Sequence, residues 1–236
     1  MKKTMVSVFL LIILFPIYSL TDAQIWALAL TEIMTVVNND SHDTLNFDKI
    51  NENNRKMYIE MLVRDWGINN REELIETMNH MEVDGHAAAL EKVKQIIRET
   101  KDYSIFNMLN TYQLSIKQYN YFKFVLSNWN LFSSRSIIVW DYGRNISLCR
   151  WGYDCGYLTE DEAWEKIMYY AKKIQQMYKS WEDYGFDYYM GRVFWASGFG
   201  EEINYLIKTD KIYRELISEN GYWKKLSWNI ELEFST

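Results

Sequence analysis

Helical periodicity runs through most of the chain and is clearest between residues 159 and 178. At about 100° per residue, Ala163, Trp164, Ile167, Met168, Tyr170, Ala171, Ile174, Met177 and Tyr178 fall in one half of the wheel. Asp161, Glu162, Glu165, Lys172, Lys173 and Gln176 fall in the other. The pattern predicts a helix that packs one face and wets the opposite one. Thr159 followed by Glu162 supplies a capping box at its start. The same reasoning places helices over residues 24–37, 55–66, 71–82 and 86–100, with Asn70 and Glu73 capping the third and Gly67 and Gly85 as stops. Residues 38–54 are rich in Asn and Asp and read as a loop. The stretch 104–132, dense in Tyr, Phe and Asn, gives no clear internal boundaries. Further on, helices are predicted over 134–151, over 180–196 with Gly185 as a candidate break, and over 201–219. The aromatic tail from Tyr222 either packs or forms a short strand.

Composition supports this all-α reading. The 236 residues include a single proline and ten glycines, few helix breakers for such a length, while aromatics make up 17% and tryptophan alone numbers 10. So many rings require mutual burial. We therefore expect one compact, aromatic-rich domain of about eight to ten helices over residues 24–236.

The first 23 residues stand apart. Lys2 and Lys3, an apolar run from Met5 to Phe15, Pro16 and a polar stretch ending at Ala23 have the layout of a secretory signal peptide. The alternative is an anchor in the inner membrane through residues 5–20, which is short for a span. A periplasmic or secreted location is thus expected, with membrane contact only through an uncleaved segment. The formal charge of −6 and the lack of a basic run argue against nucleic acid as a partner.

Three charges interrupt apolar faces. Asp141 and Arg144 share an arc with Ile137, Trp140, Leu148 and Trp151, and Arg192 is the lone charge on a stripe of Trp181, Tyr184, Tyr188 and Trp195. A buried guanidinium needs an acid. The expected arrangement is an Arg144, Asp141, Arg192 cluster, serving either as a structural staple or as the floor of a pocket walled by Trp140, Trp181, Tyr188, Trp195 and His86. Cys149 and Cys155 are either a disulfide, worth about 2 kcal/mol, or two buried thiols. His80, His86, Glu82 and Asp84 match no strong metal-ligand spacing, and no cofactor-binding motif occurs.

Several local patterns together resemble a bacterial family, domain of unknown function 1266. They are Trp66-Gly67-Ile68, Asp84-Gly85-His86, Trp140-Asp141-Tyr142-Gly143-Arg144, Arg150-Trp151-Gly152-Tyr153, Gly156-Tyr157-Leu158-Thr159, Glu162-Ala163-Trp164, Ser180-Trp181-Glu182 and Gly191-Arg192-Val193-Phe194-Trp195. The resemblance implies a fold and assigns no reaction. In that pattern the positions of Cys149 and Cys155 usually hold small residues, which fits a secreted branch with a disulfide of its own. Two functions follow as expectations: a non-catalytic envelope domain that binds a protein partner, or an enzyme with a small-molecule or anion pocket around Asp141, Arg144 and Arg192.

Overall fold

A computed structural model describes residues 20–46 and 52–233. The described residues are helical throughout, with no strand. The apolar run of the N-terminus lies outside them. In chain order the helices are α1 (Asp22–Ala29), α2 (Glu32–Asn38), α3 (Glu52–Trp66), α4 (Arg71–Asp84), α5 (His86–Glu99), α6 (Ile105–Asn110), α7 (Ile116–Ser127) and α8 (Trp129–Phe132). They continue with α9 (Ile138–Asp154), α10 (Glu160–Met177), α11 (Trp181–Ser197) and α12 (Glu202–Leu216), before a single 3-10 turn at Trp223–Lys225.

Predicted caps mark the starts of α4 and α10. Asn70 accepts from the Glu73 amide at 2.9 Å, and Thr159 with Glu162 forms the full capping box. The stretch 104–132, where the pattern shows no clear boundaries, contains the same chemistry. Ser104 caps α6, and Ser115 with Gln118 closes a capping box on α7. These short helices and α8 fill the stretch whose boundaries periodicity does not give.

The helix predicted over 24–37 is two helices. The chain turns at Leu30 and Thr31, and side chains from elsewhere take the carbonyls released there. Trp223 Nε1 donates to the Ala29 carbonyl at 2.9 Å, and the Tyr184 hydroxyl donates to that of Leu30. Tertiary partners have replaced intrahelical ones, a substitution that periodicity cannot show. α1 also begins earlier than predicted, with Thr21 and Gln24 forming a capping box.

α9 lies at the centre, packed by α3, α4, α5, α10 and α11. Its contact with α11 is close because both helices present glycine. A Cβ on Gly191 would lie 2.3 Å from Trp140 Cβ, and one on Gly143 would lie 2.3 Å from the Tyr188 ring. Trp140 thus meets Gly191 and Gly143 meets Tyr188, so the two helices run antiparallel. Gly191→Ala should cost about 1–3 kcal/mol of stability by overpacking this crossing, read as a lowered urea midpoint with an unchanged slope.

Gly185 does not break α11. It lets the Trp223 ring lie against the helix backbone, where a Cβ would meet that ring at 2.4 Å. The tail forms no strand among the described residues, and it completes a cluster of four indoles. Trp181 stacks on Trp223 at 5.4 Å and meets Trp26 and Trp228 at 5.0 and 4.9 Å. Each indole N–H donates to a backbone carbonyl: Trp26 to Ser227, Trp181 to Leu226, Trp223 to Ala29 and Trp228 to Tyr178. Fully satisfied aromatic groups of this kind belong to a core.

Candidate functional site

Asp141, on the first turn of α9, is fully buried. Its carboxylate caps a neighbouring helix. Oδ1 accepts the His86 amide at 3.0 Å and Oδ2 accepts the Ala87 amide at 2.8 Å, so the acid sits on the exposed amides of α5 and on the positive end of its dipole. Gly85 makes this approach possible, since a Cβ there would come within 2.6 Å of Asp141 Oδ2. The Asp84-Gly85-His86 pattern thus has a physical reason: a helix start without a side chain, built to admit a carboxylate from α9.

The same carboxylate holds the His86 ring. Nδ1 lies 3.2 Å from Asp141 Oδ1 and 3.2 Å from Arg144 Nη1. A carboxylate accepts only and a guanidinium donates only, so Nδ1 can satisfy one of them. Arg144 has another seat, 4.2 Å above the Trp66 ring and 5.5 Å from that of Trp140. An imidazole lone pair set against the Asp141 carboxylate would be repelled, and a carboxylate is the stronger acceptor, which assigns the proton to Nδ1 and the lone pair to Nε2. Nε2 makes no hydrogen bond among the described residues and is not among the buried unpartnered atoms.

Burial holds His86 below the usual imidazole pKa, with the Asp141 hydrogen bond opposing that shift and the Arg144 charge adding to it. Burial also lowers Arg144, with Asp141 the first of the groups that oppose this. Because the folded imidazole binds its proton less tightly than the unfolded one, the unfolded state gains protons first as pH falls through about 6.5. Stability linked to His86 is therefore present above that pH and lost below it. Urea denaturation between pH 5 and pH 8 should show a slope in the wild type that is reduced in His86→Asn.

His86 lines a cleft of about 330 Å³ between α4, α5 and α7, together with Lys92, Lys117, Gln118 and Tyr121. Lys92 is paired with Asp84 at 2.7 Å. Lys117 faces the rings of Phe199 and Tyr121 at 4.7 and 6.0 Å and makes no ion pair among the described residues. A larger groove of about 520 Å³ lies beside Phe186. Two of its polar groups, Arg135 and Tyr178, both bind Asp187, at 2.7 and 2.9 Å.

The expected three-charge cluster is not what forms. Arg192 is buried, yet its Nε and Nη1 have no hydrogen-bond partner, and Asp141 is occupied by α5 and His86. Arg192 instead faces the Tyr205 ring at 5.1 Å. The expected walls also separate. Trp140 packs against Tyr188 and Trp195 at 5.3 and 6.2 Å. Trp181 belongs to the indole cluster, three turns away along α11.

Cys149 and Cys155 are buried free thiols, not a disulfide. They lie on and just beyond α9, and six residues of helix separate Cα atoms by roughly 9 Å, beyond the reach of a bridge. Burial pushes the Cys155 thiol up to about 12 and that of Cys149 higher still. Neither should react with a maleimide in native protein at neutral pH, whereas both should do so in denaturant without reductant, as read by mass.

Of the residues weighed as metal ligands, Glu82, Asp84 and His86 have other partners. Glu82 binds the Tyr170 hydroxyl at 2.8 Å and Lys173 at 3.1 Å, and no group of three or more metal-ligating side chains occurs among the described residues. Two buried polar residues carry weight that periodicity did not reveal. Asn145 donates to the Met78 carbonyl and to Tyr170 at 3.1 and 3.0 Å, tying α9 to α4 and α10. Arg150 donates to the carbonyls of Ser41, Thr44 and Leu45 at 2.8, 3.1 and 3.1 Å, holding the segment after α2. Only the Arg150-Trp151-Gly152-Tyr153 pattern pointed to it.

A family profile described as protein of unknown function (DUF1266) matches residues 61–228. The chain belongs to this family. The match runs from α3 to the tail, so it contains Asp141, His86, Arg144 and Arg192. Among curated relatives, the uncharacterized protein YbeR of Escherichia coli (strain K12) is 27% identical over 194 residues, covering 73% of this chain and 79% of the relative. The uncharacterized protein YbeU of the same organism is 29% identical over 166 residues, covering 65% and 64%. The chain thus spans somewhat less than two thirds of YbeU. No solved structure matches at a significant level.

Proposed function

We propose that this domain binds a small anionic ligand in the cleft between α4, α5 and α7, with His86 Nε2 as the acceptor that meets a hydroxyl or amine of the ligand. The observation that carries this reading is the held imidazole: a buried Asp141 holds Nδ1 and leaves Nε2, on a residue that lines the cleft, without a hydrogen bond among the described residues and uncharged near neutrality. An acid that orients the far nitrogen of a histidine is the arrangement used wherever an imidazole must accept a proton. Lys117, without an acid partner among the described residues, supplies the attraction for an anion. Citrate, tartrate and glycerol phosphate are suitable probes because each combines a negative charge with a hydroxyl. One or more should shift the His86 ring resonances in NMR and raise the melting temperature, and His86→Asn and Lys117→Met should each abolish both effects. Ring resonances unmoved by all three at millimolar concentration would sink the proposal.

A second reading rests on the outer face of α12. Ile203, Leu206 and Ile207 recur at helical spacing and are 68%, 41% and 65% exposed, beside an exposed Phe199. Such a stripe suits a protein partner. Replacing Ile203 and Ile207 by Glu should leave the melting temperature unchanged while abolishing partner capture from envelope extracts. Capture that survives the double replacement rejects this face.

The proposed setting is the cell envelope, on the layout of residues 1–23. A cut after Ala23 would remove Thr21 and Asp22 and place a new ammonium on the positive end of α1, an unfavourable pairing. That favours the anchored alternative, and sequencing the N-terminus of the envelope-associated protein decides between them.

A further inference from the structure

Arg192 lies beside a run of aromatic side chains. Successive centroid distances trace that run: Tyr188 to Trp140 is 5.3 Å, Trp140 to Trp195 is 6.2 Å, and Trp195 to Tyr205 is 5.4 Å, with the Arg192 guanidinium 5.1 Å from Tyr205. Its side chain is almost fully buried, the residue being 3% exposed. Every buried polar atom that Arg192 and this run leave without a partner can donate a hydrogen bond: Arg192 Nε, Arg192 Nη1, Trp140 Nε1 and the Tyr188 hydroxyl. Tyr188 and Arg192 are one helical turn apart on the same face of α11, and each is the first charge or dipole that the other senses.

Charge does not balance here either. Arg144 and Arg192 both bear on Tyr188, while Asp141, the carboxylate that acts on Arg144, is taken up by α5 and His86. Glu202, on the neighbouring α12, has a buried oxygen without a partner, yet it is not among the groups that influence Arg192. Buried guanidinium donors without acceptors are strongly unfavourable, and natural interiors rarely leave several side by side.

We infer that the buried donors of Arg192, Tyr188 and Trp140, beside this aromatic run, form a binding site for a small monovalent anion of halide size. One negative charge would neutralise the excess guanidinium. A compact, polarisable ion would accept from these N–H and O–H groups without requiring directional lone pairs. The site is separate from the His86 cleft, whose lining does not include Arg192.

The test is thermal unfolding of the full chain at pH 7 in sodium gluconate, with chloride or bromide substituted at constant ionic strength. Halide should raise the melting temperature saturably, by roughly 2–4 °C for each 1 kcal/mol of binding. Arg192→Met should lose that response while its His86 resonances still move with the cleft probes, so the two sites fail independently. Glu202→Gln should respond as the wild type does. A wild type indifferent to halide, or a response that appears only in Glu202→Gln, overturns the assignment, the latter because Glu202 would then be the group that satisfies Arg192. Should Arg192→Met not fold, bromide-soaked crystals of the wild type decide: an anomalous peak beside Arg192 and Tyr188 supports the site, and none there rejects it.

Discussion

Asp141→Ala should lower the unfolding free energy by about 3–5 kcal/mol, the largest effect expected of any single polar replacement in this chain. Three groups lose their acceptor together, namely the His86 and Ala87 amides and His86 Nδ1. Arg144 loses the carboxylate that most favours its charged form. Nothing solvates these groups in compensation, because Asp141 is fully buried. Asp141→Asn keeps one acceptor oxygen and should be the milder change, since its amide nitrogen must then face a backbone donor. Equilibrium denaturation in urea checks both. A loss under 1 kcal/mol for the alanine variant would mean that α5 is capped well enough by water.

Arg150→Met is expected to be next in size, at about 2–4 kcal/mol. The guanidinium is fully buried and donates to the Ser41, Thr44 and Leu45 carbonyls; burial lowers its pKa to about 10, so it is still charged at neutral pH. Each charged hydrogen bond contributes about 1.5–3 kcal/mol. The sum is not realised, because removing the charge also relieves its desolvation. The local consequence is more diagnostic than the global one. Residues 40–46 should become the first point of limited proteolysis in the variant, while digestion of the helical remainder is unchanged.

What the sequence made legible depended on how local the physics was. Caps such as Asn70 and Thr159 act within four residues, and the amphipathic face of α10 is a property of one helix, so both could be read directly. Met177 is the exception on that face. It is exposed at the end of α10, where the packed surface has already ended. The break at Leu30 was hidden because Trp223 and Tyr184 create it from far along the chain.

The site divides in the same way. The arc shared with Trp140 predicts burial for both Asp141 and Arg144; Asp141 is buried and Arg144 half-buried. Which partner each would take does not follow from it, because a helix N-terminus is as good a counter-charge for a carboxylate as an arginine, and α5 could not be positioned from periodicity. Arg192 was assigned to Asp141 on the premise that an interior acid must answer an interior base. Here that acid is already committed elsewhere, and Trp181 is drawn away by an indole cluster whose other members come from the two ends of the chain. The cysteines failed as a bridge for a reason of helix rise alone.

The indole cluster also sets an order of assembly. Trp26 lies on α1, and the rings it meets include Trp228, far along the chain. A nascent polypeptide therefore carries α1 and α11 with uncovered tryptophans until the segment around Trp223 and Trp228 leaves the ribosome. Any message that stops before codon 223 yields a product that cannot shut its own interior, however complete its helices are.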